Sequence, residues 1–222
     1  MGGDAVRRPS YDEVACVAAS VLILALCAHS RLGGFSRGYE FNTALVCAAI
    51  CMVPVVLKRA GALTLPGPFT LLIVFSVCMH SLGVLYFSYD QLYFYDTITH
   101  TLSSVVVTVC VFLALMCYQV LDERVRFTGM SLAVFVALIM LGFSVYWEFL
   151  ENVVDVLTGT RMQYNPMDTA RDMVCNTVAS FVTSLALQRY MVRRTPESMV
   201  EALHLHPRLV RFVSRSRGRR PC

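Results

Sequence analysis

Long apolar runs recur along this chain. Examples are VACVAASVLILALCAHS at 14–30 and FTLLIVFSVCMHSLGVLYF at 69–87. A helix of about 20 apolar residues spans the hydrocarbon core of a bilayer, so each run is a candidate transmembrane span. Open sheets cannot sit in lipid, because unpaired backbone groups find no water there, and the alternating pattern of a lipid-facing barrel is absent. The chain is 56% hydrophobic and 15% charged, against roughly a quarter charged in a soluble domain. The expected class is all-α, a polytopic membrane helical bundle.

Six spans are predicted: 14–30, 41–57 (with Pro54 kinking one end), 69–87, 97–120, 128–157 and 169–192. The fifth is long enough to tilt or to project from the lipid. Basic residues alternate by side. Arg7 and Arg8, Lys58 and Arg59, Arg124 and Arg126, and the tail from Arg193 onward fall on one side; Arg31, Arg37 and Arg161 fall on the other. The positive-inside rule then places both termini in the cytoplasm and the protein in the cell membrane, multi-pass. Residues 1–13 form a cytoplasmic segment, 14–192 the six-span domain and 193–222 a basic tail. The first run follows Asp12 and Glu13 and lacks a small-residue cleavage site, which favours a retained span over a signal peptide.

Thr195-Pro196-Glu197-Ser198 has the form of a helix start, with proline at the first helical position. Met199, Val200, Leu203, Val210 and Phe212 then offer an apolar stripe beside clustered arginines. Two readings stand: contact with anionic lipid at the cytoplasmic face, or a solvated tail that only fixes topology. Nucleic-acid binding fits poorly. Of nine cysteines, all but Cys222 lie in predicted spans and none forms C-x-x-C, so they are expected as small packing residues.

Ionisable side chains inside spans are costly, so each is a functional candidate. Here they gather towards one leaflet. Asp96 and His100 open the fourth span at i,i+4; Glu148, Glu151 and Asp155 close the fifth at i, i+3, i+7; Asp168, Asp172 and Asn176 open the sixth at i, i+4, i+8. Residues at these spacings share a helix face, so three polar stripes can converge as ligand-bearing helices do in carboxylate metal proteins. Such a group cannot be fully anionic in a low dielectric. Protons, Arg161 and Arg171, or a divalent cation must offset it. Oxygen ligands with one imidazole suit Mg, Mn, Zn or Fe, so the metal's identity stays open. Asp96, His100, Glu148 and Asp172 are the candidate metal ligands. Glu148, Glu151 and Asp168 are candidate catalytic groups, and Arg161, Arg171 and Asn176 are candidate substrate contacts. The bland alternative is a set of interfacial charges reaching water, with Asp168 and Asp172 favoured by a helix N-terminus. His80 alone is expected as a packed or hydrogen-bonded histidine. Tyr86, Phe87, Tyr89, Tyr93, Phe94, Tyr95 and Tyr164 fit an interfacial aromatic belt. Tyr146 and Trp147 flank Glu148 and could line a pocket.

Tyr95-Asp96-x-x-x-His100, then Tyr146-Trp147-Glu148-x-x-Glu151, then Asp168-Thr169-x-x-Asp172-Met173-x-x-Asn176 resembles the YjdF-like family of integral membrane proteins, and more loosely the VanZ-like membrane proteins. The likeness covers about 95–180. It implies Asp96, His100, Glu148, Glu151, Asp168 and Asp172 as family positions. The family's later glycines are replaced here by Ala179 and Ser180. The VanZ-like side points to envelope chemistry.

Three functions stay open: a metal-assisted hydrolase or transferase on a lipid or lipid-linked envelope substrate, ion- or proton-coupled transport or binding, and a structural membrane subunit. No H-E-x-x-H or G-x-S-x-G signature is present. The acids stop at one leaflet and no polar trail is expected to cross to the cytoplasmic side, which weighs against transport.

Overall fold

In a computed structural model the chain is described at residues 8–34, 38–86, 92, 94–122, 126–127, 130–160, 162–163, 165–191 and 193–214. Eight helices make up the secondary structure of the described residues, with no strand among them. Six are long: α1 (Tyr11–Leu32), α2 (Gly38–Arg59), α3 (Gly67–Leu85), α4 (Tyr95–Leu121), α5 (Met130–Thr158) and α6 (Pro166–Met191). Two short ones follow, α7 (Pro196–Ala202) and α8 (Pro207–Ser214). This is a polytopic helical membrane protein.

Helices α1 to α5 are long and apolar enough to cross a membrane. The sixth helix has 26 residues but misses that standard of apolarity. The reason lies in how its residues are distributed. Asp168, Asp172, Asn176, Ser180 and Ser184 form one buried stripe, while Val174, Val178 and Val182 form an exposed stripe on another face. Averaged along the helix these cancel; taken face by face, the helix is apolar outside and polar inside. The other helices likewise turn apolar side chains outward, among them Val46, Phe75, Leu138 and Phe149. At 29 residues α5 is about 43 Å long at 1.5 Å per residue, more than the hydrocarbon core, as its sequence predicts.

The helices pack as two groups of three. In the first, α1, α2 and α3 all touch; in the second, α6 packs along both α4 and α5; α3 and α4 join the groups. The first group closes around small residues: Ala19, Ala44, Cys47, Ala48 and Cys51 are buried with Ile23 and Leu85. Small side chains let helix backbones approach, which matters in lipid, where no hydrophobic force drives association. Two buried hydroxyls exploit the approach: Ser20 Oγ donates to the Ala48 carbonyl at 3.0 Å and Ser30 Oγ to the Leu85 carbonyl at 3.2 Å. The cysteines behave as expected of packing residues, all eight described ones being free thiols.

Charge marks the two ends. At the basic end, Lys58 Nζ meets Asp12 Oδ2 at 3.0 Å and Arg59 Nε meets Glu13 Oε1 at 3.1 Å. Glu13 also accepts from the Ser10 backbone N–H, closing a capping box that starts α1. The tail returns to this end. Thr195 caps α7 by accepting from the Ser198 N–H at 3.2 Å, as its sequence predicts. Leu203 then packs on Phe69, Ile73 and Leu113. The Thr64 N–H donates to the Leu203 carbonyl at 2.7 Å and the His206 N–H to the Ala62 carbonyl at 2.8 Å. The first part of the tail is thus docked, whereas Leu209 and Phe212 of α8 stay exposed.

The close α1–α2 approach yields a prediction. Ala48→Leu overpacks the seam and lowers stability in detergent by about 1–3 kcal/mol. Val46→Leu, on the lipid face two residues away, leaves the melting temperature unchanged.

Candidate functional site

Helix α4 begins at Tyr95, so Asp96 sits in its first turn and His100 one turn below. Tyr95 fixes that start by donating its hydroxyl to the Met79 carbonyl of α3 at 2.5 Å. The i,i+4 spacing brings His100 Nε2 to 3.3 Å from Asp96 Oδ1, and the same nitrogen lies 3.7 Å from Glu151 Oε1 of α5. Ligand atoms of Asp96, His100 and Asp172 all lie within 4.8 Å of one another, and so do those of His100, Glu148 and Glu151. Three helices therefore deliver four carboxylates around one imidazole.

Neighbouring groups hold the cluster in place. Trp147 Nε1 donates to Glu151 Oε1 at 2.6 Å and Thr97 Oγ1 to Asp172 Oδ1 at 3.4 Å. Gln163 Nε2 donates to Glu148 Oε2 at 3.2 Å and to the Glu148 carbonyl at 2.8 Å. Glu148 is 6% exposed, and its other oxygen, Oε1, is buried with no hydrogen-bond partner among the described residues. A buried carboxylate oxygen left bare is costly, and a proton, a further donor or a cation can offset it.

Not every expected residue joins the cluster. Asp155, on the same stripe as Glu148 and Glu151, turns to the loop beyond α5. It accepts from Thr160 Oγ1 at 2.7 Å, the Met162 N–H at 2.8 Å and the Gln163 N–H at 3.0 Å. That loop presents Gln163 to Glu148, so Asp155 acts on the cluster at one remove. Asp168 pairs with Arg171 in a close ion pair at the cluster's edge, and Arg171 Nε also lies 4.0 Å from Asp172 Oδ1. Asn176 sits a turn deeper and donates to Ser144 Oγ at 2.9 Å. Arg161 lies outside the described residues, as do Phe87, Tyr89, Tyr93 and Tyr164 of the aromatic belt.

The cluster borders a cleft of about 1110 Å³ between α2 and α3 on one side and α4 and α5 on the other. Asp96, His100 and Glu151 line its polar end. Ile50, Ile73, Val77, Val107 and Phe143 line much of the remainder, with Ser104, Ser144 and Asn176 among the polar residues there. Tyr39, whose hydroxyl donates to Met162 Sδ at 3.1 Å, crosses the outer end. Tyr146 and Trp147 line the cleft, as their position beside Glu148 suggests. His80 lines it too. Sequence reasoning misses Gln163, Thr97 and Ser144. All three are short-range common polar residues, and only the tertiary fold brings them to the acids.

The chain belongs to a family of integral membrane proteins described as "Predicted membrane protein (DUF2238)", whose pattern it matches over residues 14–193. That region contains every residue of the cluster. Neither the curated proteins nor the solved structures include a match to this chain.

Because Asp155 gathers three donors of one loop, Asp155→Ala should free that loop. Expected are a loss of about 1–3 kcal/mol in stability and faster proteolysis within 159–165. Asp155→Asn, which keeps an acceptor, should recover part of both.

Proposed function

We propose that the protein is a metal-dependent hydrolase or transferase that acts on a lipid or lipid-linked envelope substrate at the outer leaflet of the cell membrane. The observation that carries this reading is the meeting of the carboxylate–imidazole cluster, with its bare Glu148 oxygen, and a cleft with a largely apolar surface. A cleft polar at one end and apolar along its length suits an amphiphile, head towards the acids and chain along Ile50, Val77 and Phe143.

In this reading Asp96, His100, Glu148 and Asp172 hold a divalent cation, with Glu151 beside them. The ligand set favours Mg, Mn, Zn or Fe without choosing among them. A cation there would polarise a phosphoryl or carbonyl oxygen and acidify a water. Glu148 or Glu151 takes the water's proton as its oxygen bonds to phosphorus or carbon. The ester oxygen leaves with a proton, and one water is consumed. Arg171, at the edge with Asp168, is the candidate contact for an anionic head group. Arg161 and Asn176 are the other proposed substrate contacts.

The family match supports membership at the level of a membrane protein; the finer YjdF-like reading rests on the three-part motif quoted above. Orientation follows the positive-inside rule. Lys58, Arg59 and the docked tail share the end away from the acids, so that end is assigned to the cytoplasm. Phe212, with Arg208 and Arg211 on α8, is then placed to meet anionic lipid. Ion- or proton-coupled transport is the second reading, and one observation favours it: buried polar residues continue below the cluster on α6. A structural membrane subunit is the third.

The test is turnover on mixed micelles of phospholipid and prenyl-linked phosphate, with Mg, Mn, Zn or Fe(II) supplied after chelation. Expected is release of phosphate, head group or fatty acid that requires the cation. Glu148→Gln should slow it about 100-fold or more, the scale of a lost general base. Metal binding without turnover on any ester would remove the enzyme reading and leave a binding or transport protein.

A further inference from the structure

Four helices wall the cleft, but they do not close around it. Helix α2 packs on α3, α3 on α4, and α6 on both α4 and α5, so the order around the cleft is a horseshoe. Its two arms are α2 and α5, which line the cleft from opposite sides without a packed interface between them. At the outer end the arms are strapped together: the Tyr39 hydroxyl of α2 donates to Met162 Sδ, in the loop after α5, at 3.1 Å. Below this strap Ile50 of α2 and Phe143 and Tyr146 of α5 line the cleft and are also exposed. They border an open seam that faces the bilayer.

The cleft is as deep as one leaflet. Its lining runs from Ile73 to Val84 on α3, from Asp96 to Val107 on α4 and from Met140 to Glu151 on α5. At 1.5 Å per residue each stretch covers a rise of about 16 Å. That is roughly half of a hydrocarbon core about 30 Å thick. The floor is shut. Met140 is buried with Phe112 and Val136, and Ile73 is buried against Phe69, Leu113 and the docked tail's Leu203. Hydroxyls on the walls are largely engaged with one another. Ser76 Oγ and Ser103 Oγ lie 3.3 Å apart, and Ser144 accepts from Asn176. Water needs two to four polar partners and finds few along such walls. An empty apolar space would forfeit dispersion contacts on every side. Hydrocarbon is what the seam opens to, and hydrocarbon suits the lining.

We propose that a phospholipid of the outer leaflet enters the cleft sideways, through the seam between α2 and α5. One acyl chain lies inside and reaches the floor at Ile73 and Met140, while the head group stays level with Asp96, His100 and Glu151. A phospholipid is then the substrate class of the site proposed above, resting on that reading for its chemistry but not for its binding. Sideways entry keeps the head group in the interface throughout, so no charge crosses hydrocarbon. The floor sets the chain. An acyl chain of leaflet length matches the depth, whereas a long polyprenyl chain would leave most of its length outside the seam.

Photolabelling of the full chain in phosphatidylcholine vesicles tests it. The probe is a phosphatidylcholine with a diazirine at the end of one leaflet-length chain, and adducts are located by peptide mass spectrometry. Phe75, Leu138 and Phe149 are exposed and report the surrounding bilayer. Ile73 and Met140 are buried from that lipid and report the cleft floor. The wild type should carry adducts at both sets. Ile50→Trp, which narrows the seam, should cut the floor adducts about tenfold and leave those at Leu138 unchanged. Should that variant not be monodisperse, Phe143→Trp narrows the seam from the other arm. Adducts confined to the outward residues, or floor adducts that survive the narrowed seam, overturn the proposal. Loss of the floor adducts on adding an equal amount of long-chain polyprenyl phosphate also overturns it, by giving the cleft to that class. Labelling is done with metal chelated, so it can fail while metal-dependent turnover stands, and succeed where turnover fails.

Discussion

A carboxylate cannot face lipid, and four of them cannot share a small dry space unaided. That constraint orders the second half of the molecule. Asp96, Glu148, Glu151 and Asp172 arrive on three helices, and each must turn inward. Once they do, α4, α5 and α6 have one relative rotation available: the one that puts valines of α6 outward and its acids and hydroxyls inward. The supporting bonds from Trp147, Thr97 and Gln163 then fix individual oxygens rather than the helices. The first three helices answer to a different rule. They carry little charge inside and are held by small residues and two serine hydroxyls. The cleft lies where these two kinds of packing meet.

Most of the fold was legible in the sequence, because apolar length and helical period are local properties. The predicted spans 97–120 and 128–157 agree with α4 and α5 to within a few residues. The i,i+4 pairing of Asp96 with His100 and the joint stripe of Glu148 with Glu151 needed only the 3.6-residue period. Helix α6 was harder. Its polar face lowers its average, and only face-by-face reading explains it. Asp155 shows where periodicity stops working. It lies near the helix end, so the nearest donors belong to the next loop, and local backbone N–H groups win over the distant imidazole. Arg171 was expected either to pair with the acids or to face a substrate. It stands one turn from Asp168 on the same helix and pairs there first. The tail was left open between lipid contact and a solvated tail that only fixes topology. Its docking on the α2–α3 loop depends on two backbone bonds that no side-chain pattern announces.

The polar features form a gradient in depth. Charged groups lie at the acidic end, an amide and hydroxyls follow, and the buried apolar cluster of Phe112, Met116 and Leu132 lies beyond and beside them. The sequence reading found the charges and took the trail to end there, because serine and threonine are common in membrane helices and raise no alarm singly. Their burial is a property of the packed bundle, and Thr108 Oγ1, Ser184 Oγ and Asn176 Oδ1 have no hydrogen-bond partner among the described residues. Ser104, Ser144 and Asn176 also line the cleft, so the polar face of α6 and the cleft meet at that level.

The central claim is that the cluster holds a divalent cation. Elemental analysis of the purified, detergent-solubilised protein tests it most directly, beside a variant carrying Asp96→Ala, His100→Ala and Glu148→Ala. The account predicts close to one metal ion per chain in the wild type and none in the variant, with both proteins monodisperse. No metal in either, together with equal thermal stability after incubation with Mg, Mn, Zn or Fe(II), would contradict it.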